Sequence, residues 1–250
     1  MQVTIIGTGN VAAVLGKLII QKGHEVVEIC GRNEQEAKLL ADKLHTGYTS
    51  DLYAINKGAD IYIIAVSDNA IEKVSNEINV GNKLIVHTAG SGSKELLCNS
   101  STRYGVLWPI QSLRKEIDEV PVIPFAVAGN DESSLLQIET FAQTLSGFVS
   151  RADDLTRRKL HLAAVLSSNF SNYLYAATEE FCNREQLDFG LLYPLIQTTA
   201  DRLQLYSPSK TQTGPAVRND EQTIQAHLKL LQQEPKLAEL YKFMTEQIRK

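Results

Sequence analysis

Residues 3–12 are Val3-Thr4-Ile5-Ile6-Gly7-Thr8-Gly9-Asn10-Val11-Ala12, an apolar run followed by a glycine-rich turn. The apolar run predicts a buried strand, and the residues after the turn predict the start of a helix. The spacing of the small residues is typical of turns that bind the pyrophosphate of a dinucleotide, where glycines let the backbone approach the phosphates and the helix start supplies free amides. This context favours dinucleotide binding over an ordinary glycine-rich turn. The predicted cofactor contacts here are Gly7, Thr8, Gly9, Asn10 and Val11.

The two ends of the chain differ in composition. Thirteen of the 15 glycines lie in residues 1–150, where apolar runs rich in Val and Ile alternate with helical patterns. Such runs predict a Rossmann-type, mostly parallel sheet covered by helices, which is an α/β fold. Glycine is rare after residue 153, and Leu and Ala favour helix there. We therefore predict a nucleotide-binding domain over 1–152 and an all-helical domain over 153–250, which contributes to substrate binding and dimerisation.

The predicted strands include Val3–Ile6, Val26–Ile29, Ile61–Val66, Leu84–Val86, Gly105–Leu107, Phe125–Ala128 and Gly147–Ser150.

Charge and cysteine usage exclude several classes of protein. The formal net charge is −4, and residues 151–250 have 13 basic and 12 acidic side chains, so we expect no nucleic-acid partner. No apolar run approaches the roughly 20 residues of a membrane span, and the immediate start of a strand leaves no room for a secretory signal. Three widely spaced cysteines and the histidine spacing predict a cytoplasmic protein without a bound metal.

The end of the second predicted strand indicates which cofactor is bound. Its sequence is Cys30-Gly31-Arg32-Asn33, whereas the acidic Glu28 lies inside the strand. A guanidinium can hold a 2′-phosphate by paired charge-assisted hydrogen bonds, so this turn favours NADP over NAD, unless Arg32 is a solvated loop residue. The further predicted cofactor contacts are Gly31, Arg32 and Asn33 here, with Val66, Ser67, Thr88 and Ala89 after the next two central strands.

A long helical pattern, Thr156–Glu180, has an apolar middle that predicts burial in its own domain or against a partner subunit. Within it, Ser168 and Asn172 fall within roughly 20° of His161 on a regular helix, and Asn169 borders them. Buried polar groups need partners. One interpretation is hydrogen bonding between helices or across a subunit seam. The other is a site where His161 donates a proton, Asn169 orients the substrate and Ser168 assists.

A later segment, Gln212–Asp220, contains a rigid Gly-Pro turn, and Asn219 with Gln222 is predicted to cap the next helix. Arg218 is then either an anchor for an anionic substrate group or a surface residue. The predicted substrate contacts from the loops and helices are Ser91, Gly92, Asn172, Thr213 and Arg218.

Four segments resemble a family of NADP-dependent oxidoreductases related to pyrroline-5-carboxylate reductase and the β-hydroxyacid dehydrogenases. They are His87–Ser91, Pro109–Ser112, His161–Asn169 and Thr213–Asp220. The resemblance implies an NADP cofactor, a helical domain like that of 6-phosphogluconate dehydrogenase and dimerisation through it. It also makes Gln111 a predicted substrate contact. Two positions depart from the related families: Val165 stands where the β-hydroxyacid dehydrogenases have a catalytic lysine, and Trp108 stands where histidine is usual.

The sequence thus predicts an NADP-dependent oxidoreductase that transfers a hydride between NADPH and a small polar carbonyl or imine compound. One alternative is an NADP-binding sensor without catalytic activity. A methyltransferase-like Rossmann protein is a further alternative, although it would favour an acidic residue at position 32.

Overall fold

The computed structural model describes residues 1–249, and its first part contains one eight-stranded sheet. The strand order is β3-β2-β1-β4-β5-β6-β7-β8, and every neighbouring pair is parallel except β6 and β7. The strands are β1 Gln2–Ile6, β2 Glu25–Cys30, β3 Gly47–Thr49, β4 Ile61–Ile64, β5 Leu84–His87, β6 Arg103–Pro109, β7 Phe125–Gly129 and β8 Val149–Arg151. The predicted Rossmann-type α/β fold is confirmed.

The central strands are apolar on both faces because helices cover both sides of the sheet. Successive side chains of a strand point to opposite faces. In β4, Ile61 and Ile63 accordingly belong to one buried cluster, whereas Tyr62 and Ile64 belong to another. The covering helices are α1 Asn10–Gln21, α2 Glu34–Leu44, α3 Ile71–Glu77 and α4 Glu132–Leu145. Apolar clusters therefore pack against both faces of the sheet.

The strand order determines where a ligand can bind. β1 lies between β2 and β4, so the chain turns to opposite sides of β1 at this point of the sheet. Ligands of open α/β sheets bind outside the carboxyl ends of the strands at such a switch point. The loops after β1, β2, β4 and β5 lie at this edge, because these strands are parallel.

After β8 the chain is helical. α5 is Asp154–Ala164, a π-helical turn follows at Val165–Asn169, and α6 is Phe170–Arg184. The Asp153 side chain caps α5 by accepting a hydrogen bond from the Thr156 amide at 2.7 Å. A regular helix was predicted here. Because a π turn contains more residues per turn than an α-helix, Ser168 and Asn169, which lie within it, do not keep the spacing predicted from a regular helix.

The chain divides into two compact units, Met1–Asn169 and Phe170–Lys250. The boundary predicted at residue 152, between β8 and the first helix of this region, stays a prediction. The second unit consists of α6, α7 Tyr193–Asp201, α8 Pro208–Thr211, α9 Glu221–Leu230 and α10 Pro235–Arg249, with short 3₁₀ turns between them. Ion pairs connect its segments: Arg184 of α6 pairs with Glu234, directly before α10, at 2.7 Å, and Arg249 of α10 pairs with Glu221 of α9 at 2.6 Å.

The apolar middle of the long helical pattern is exposed. Leu162 is 60% exposed, Leu166 53% and Phe170 56%. The prediction of a helix buried within its own chain is therefore wrong. Burial against a partner subunit stays a prediction.

Within residues 1–249, no helix combines the length and the apolarity that crossing a membrane requires.

Candidate functional site

The glycine loop after β1 has the geometry that its sequence predicts. Gly7 has a φ of 134°, and a Cβ atom there would lie 2.2 Å from the Ala65 carbonyl oxygen, so no larger residue fits. Gly9 is the N-terminal cap residue of α1, and a Cβ atom there would meet nothing within 4 Å. No side chain caps α1, and its first turn contains no acidic residue. The open backbone and free amides therefore fit the pyrophosphate of a dinucleotide.

The other predicted residues of this loop contact neighbouring segments. The Thr8 hydroxyl donates to Glu36 at 2.9 Å, and the Asn10 side-chain oxygen accepts from the Lys115 amide at 3.3 Å. Val11 packs against the larger apolar core. Thr8 and Asn10 thus connect the loop to α2 and to the segment after β6.

The turn after β2 approaches the glycine loop closely. A Cβ atom on Gly31 would lie 2.5 Å from Cγ2 of Thr8, so glycine is needed for this approach. The Asn33 side chain caps α2 by accepting from the Glu36 amide at 3.2 Å. Arg32 is exposed, and its guanidinium forms no ion pair with any residue in 1–249. It is therefore free to bind a phosphate.

The loops after β4 and β5 are connected to each other. The Ser91 hydroxyl donates to Asp68 at 2.7 Å, and the Ser67 hydroxyl donates to Asn69 at 2.8 Å. Thr88 and Ala89 are buried directly after β5, whereas Val66 is half-buried after β4. The structure thus places these predicted cofactor contacts in two neighbouring loops, with the Ser91 side chain engaged by Asp68.

His161 of α5 lies against the loop after β5. A Cβ atom on Gly90 would lie 2.7 Å from the His161 ring and 2.7 Å from the Trp108 ring, so only glycine allows this packing. The rings of His161 and Trp108 are tilted by 53° with centroids 5.7 Å apart. Neither ring nitrogen of His161 bonds another residue of the described chain, so both remain available to a ligand.

A buried histidine lies below the same loop. His87 is fully buried; its Nε2 donates to the Ser93 carbonyl at 3.1 Å, and its Nδ1 accepts from the Ala89 amide at 3.2 Å. The pKa of His87 is lowered to about 4, chiefly by burial; the hydrogen bond to Ser93 raises it and the charge of Arg157 lowers it, both by less. His87 is therefore neutral at pH 7 and fixes both ends of the loop.

Arg157 is a second buried residue that the sequence interpretation missed. Its guanidinium is fully buried and donates to the Gly92 carbonyl and, at 3.0 Å, to Asp154. Burial raises the pKa of Asp154, but hydrogen bonds from Ser93 and Arg157 lower it below its usual value overall. The sequence signal was present, because Arg157 precedes His161 by four residues and so shares its helix face.

Several predicted site residues are engaged elsewhere or exposed. The Gln111 side chain donates to the Val122 carbonyl at 3.2 Å and accepts from the Ser112 amide at 2.9 Å, so it holds its own loop. Ser168 and Asn169 lie exposed on the π turn.

In the second unit, Asn172, Thr213 and Arg218 are exposed. The predicted cap by Asn219 and Gln222 is wrong, because Asp220 caps α9 by accepting from the Thr223 amide and hydroxyl.

Two family models match the chain. Residues 2–90 match "NADP oxidoreductase coenzyme F420-dependent", and residues 123–248 match "Domain of unknown function (DUF2520)". No curated protein matches the sequence.

Solved structures give closer comparisons. A Bacteroides fragilis protein described as a candidate NADP oxidoreductase is 34% identical, with 99% of this chain and 97% of that chain covered and a TM-score of 0.91. A 1-pyrroline-5-carboxylate reductase of Streptococcus pyogenes is 14% identical, with 100% and 98% covered and a TM-score of 0.69. An imine reductase of Myxococcus stipitatus in complex with NADP⁺ is 18% identical, with 100% and 93% covered and a TM-score of 0.62.

The last two likenesses show a shared fold. The B. fragilis relative and the DUF2520 match show the family, and they confirm the resemblance found in the sequence. The chain therefore belongs to the family that joins an NADP oxidoreductase domain to a C-terminal DUF2520 domain, and NADP is its cofactor.

Proposed function

We propose that this protein transfers a hydride between NADPH and a small polar compound that contains a carbonyl or an imine group. The observation that best supports this is the packing of His161 against Gly90 and Trp108 at the loop after β5. NADPH, when bound, supplies the hydride, and reduction of a C=O or C=N bond also requires a proton. His161 is the proposed donor, because histidine exchanges protons near neutral pH and its ring nitrogens have no partner in residues 1–249.

Asn169 and Ser168 have supporting roles in this proposal. Both are exposed on the π turn of Val165–Asn169, and π turns within helices are frequent at functional sites. The Asn169 amide orients the carbonyl or imine, and the Ser168 hydroxyl offers a second hydrogen bond. Substrate contact stays a prediction for Ser91, Gly92, Gln111, Asn172, Thr213 and Arg218.

The names of two proteins with this fold support an imine as one substrate class. One is an imine reductase and the other a pyrroline-5-carboxylate reductase, so both act on compounds with a C=N bond. A small imine is therefore the first compound class to test.

The decisive experiment is a screen of NADPH oxidation against pooled cyclic imines, keto acids and aldehydes. With the first active pool, His161→Asn should lower turnover by about 100-fold or more while the Kd for NADPH is unchanged. His45→Asn is the matched control, because His45 is exposed and has a left-handed backbone that Asn tolerates. Unchanged turnover of His161→Asn would refute its proposed role. NADPH binding without turnover in any pool would instead support the sensor alternative.

We also propose that the protein is a cytoplasmic homodimer. Large apolar side chains are exposed on the helical unit, including Phe170 at 56%, Tyr173 at 59% and Leu195 at 60%. Extended exposed apolar surface marks a protein interface, and a second copy is the proposed occupant. The three cysteines are free, which agrees with a reducing compartment.

A further inference from the structure

A cluster of polar side chains joins α5 to the loop after β5. The Arg157 guanidinium donates to the Gly92 carbonyl and to Oδ1 of Asp154. Oδ2 of Asp154 accepts a hydrogen bond from the Ser93 hydroxyl at 2.5 Å. We call Arg157, Asp154, Ser93 and the Gly92 carbonyl the loop clasp.

Burial of the charged groups of the loop clasp costs free energy. Arg157 is fully buried, and its Nε and Nη1 groups have no hydrogen-bond partner in the part of the chain described here. A buried ion pair is often no more stable than apolar residues of the same volume, so stability alone does not explain its presence. Its directional hydrogen bonds, however, fix the backbone of residues 92–93 relative to α5.

The same helix face contains His161, one turn after Arg157. The clasp holds the end of the loop at Gly92 and Ser93, while the His161 ring lies against its middle at Gly90. His87 forms hydrogen bonds with the Ala89 amide and the Ser93 carbonyl, near the two ends of the loop. The loop of residues 88–93 is therefore held in place by groups of the protein itself.

We infer that Arg157 is a positioning residue that, through Asp154, holds the loop of residues 88–93 and the His161 turn of α5 in the arrangement that binds the nicotinamide half of NADPH. The inference rests on the proposed function for the placement of the nicotinamide. Arg157 itself does not touch the reacting atoms, because it is covered by the loop. Preformed backbone lowers the entropy cost of ligand binding, so loss of the clasp should weaken NADPH.

The test uses Arg157→Lys, which keeps the charge but replaces the planar fork with one ammonium group. Binding is measured by calorimetry for two ligands: NADPH, and adenosine 2′,5′-bisphosphate, which lacks the nicotinamide. The variant should bind NADPH about tenfold more weakly, as expected for the loss of one charge-assisted hydrogen bond, and the bisphosphate with unchanged affinity. The matched control is Arg158→Lys, because Arg158 is the exposed neighbour on the same helix. It should change neither affinity.

Ser93→Ala provides a second variant in case Arg157→Lys does not fold, because it removes one hydroxyl from the clasp. Both variants should exchange the amide hydrogens of residues 88–93 faster than the wild type. Both should also change the fluorescence of Trp108, the single tryptophan of the chain, since His161 lies against its ring.

The inference would be overturned if the folded variants bound NADPH as tightly as the wild type. It would also be overturned if they lost equal affinity for both ligands, since that result indicates general destabilisation. If the wild type binds NADPH no more tightly than the bisphosphate, the proposed placement of the nicotinamide is wrong. Faster exchange at residues 88–93 would then still establish the clasp, so the two failures are distinguishable.

Discussion

The two units of the chain differ in how far they bury their apolar side chains. In the first unit, Ile5, Ile19 and Ile61 have no exposed surface and belong to one continuous core. In the second unit, Phe170 and Tyr173 are more than half exposed, and the buried apolar residues described there are Cys182, Ala216, Ile224 and Leu231. The first unit therefore has its own core, whereas the second leaves apolar surface that a partner can cover. Four predictions test this difference.

Gly7→Ala should have the largest effect, because the first unit has no space at this position. The added Cβ would lie 2.2 Å from a backbone oxygen at a φ of 134°. We expect a loss of unfolding free energy of about 3 kcal/mol or more, measured by urea denaturation.

Gly9→Ala is the matched control, since its Cβ meets no atom within 4 Å. Its stability should stay within about 0.5 kcal/mol of the wild type, while NADPH binding weakens because the backbone no longer approaches the pyrophosphate freely. Equal stability of the two variants would contradict the steric argument.

The second prediction concerns the stability of the folded protein at acid pH. The pKa of His87 is lowered from 6.5 to about 4 in the folded protein, so the unfolded chain takes up the proton first. The stabilisation of the folded state by neutral His87 is therefore complete above pH 6.5. It is lost as the pH falls towards 4, and the total loss is about 3 kcal/mol of unfolding free energy. Arg157, Asp154 and Asp68 are the charged groups that act on this histidine.

Urea denaturation across this pH range should show that the unfolding free energy of His87→Gln falls less steeply towards acid pH than that of the wild type. Parallel curves would mean that other groups cause the acid sensitivity.

A third prediction addresses the second unit. Phe170→Lys places a charge on its exposed apolar surface and should weaken dimerisation by about 2 kcal/mol per subunit, the value of one buried large side chain. Leu39→Lys is the control, since Leu39 is 63% exposed on α2 of the first unit. Light scattering over a dilution series measures the effect. A monomeric wild type at micromolar concentration would refute the proposed dimer.

The smallest effect is expected at the surface of the first unit. Arg32→Ala should weaken NADPH binding about tenfold and leave NADH binding and stability unchanged, because only NADPH has a 2′-phosphate. Lys38→Ala, an exposed cation on α2, should affect neither cofactor. Equal loss of both cofactors would show that Arg32 does not recognise the 2′-phosphate.

Much of the sheet was predictable because its central strands are apolar on both faces. The predicted runs Val3–Ile6 and Phe125–Ala128 lie within β1 and β7. β3, Gly47–Thr49, was not predicted, since it has three residues, none of them buried.

The candidate site was predictable where backbone geometry demands a residue type. Gly7 is such a position, because the Ala65 backbone leaves no space for a larger side chain, and at Gly31 a Cβ atom would displace the Thr8 side chain. Arg157 and His87 were not identified, since a sequence does not show whether a charged or polar residue is buried.

The amino-acid sequence alone determined the glycine loop, the parallel sheet and the helical second part, because these follow from local spacing and from apolar periodicity. Only the tertiary structure decided that Gly90, Trp108 and His161 meet, that Arg157 is buried beneath Gly92, and that Phe170 is exposed. The physical reason is that contacts between distant segments depend on how the sheet and α5 pack together, and this packing leaves no periodic signal in the sequence.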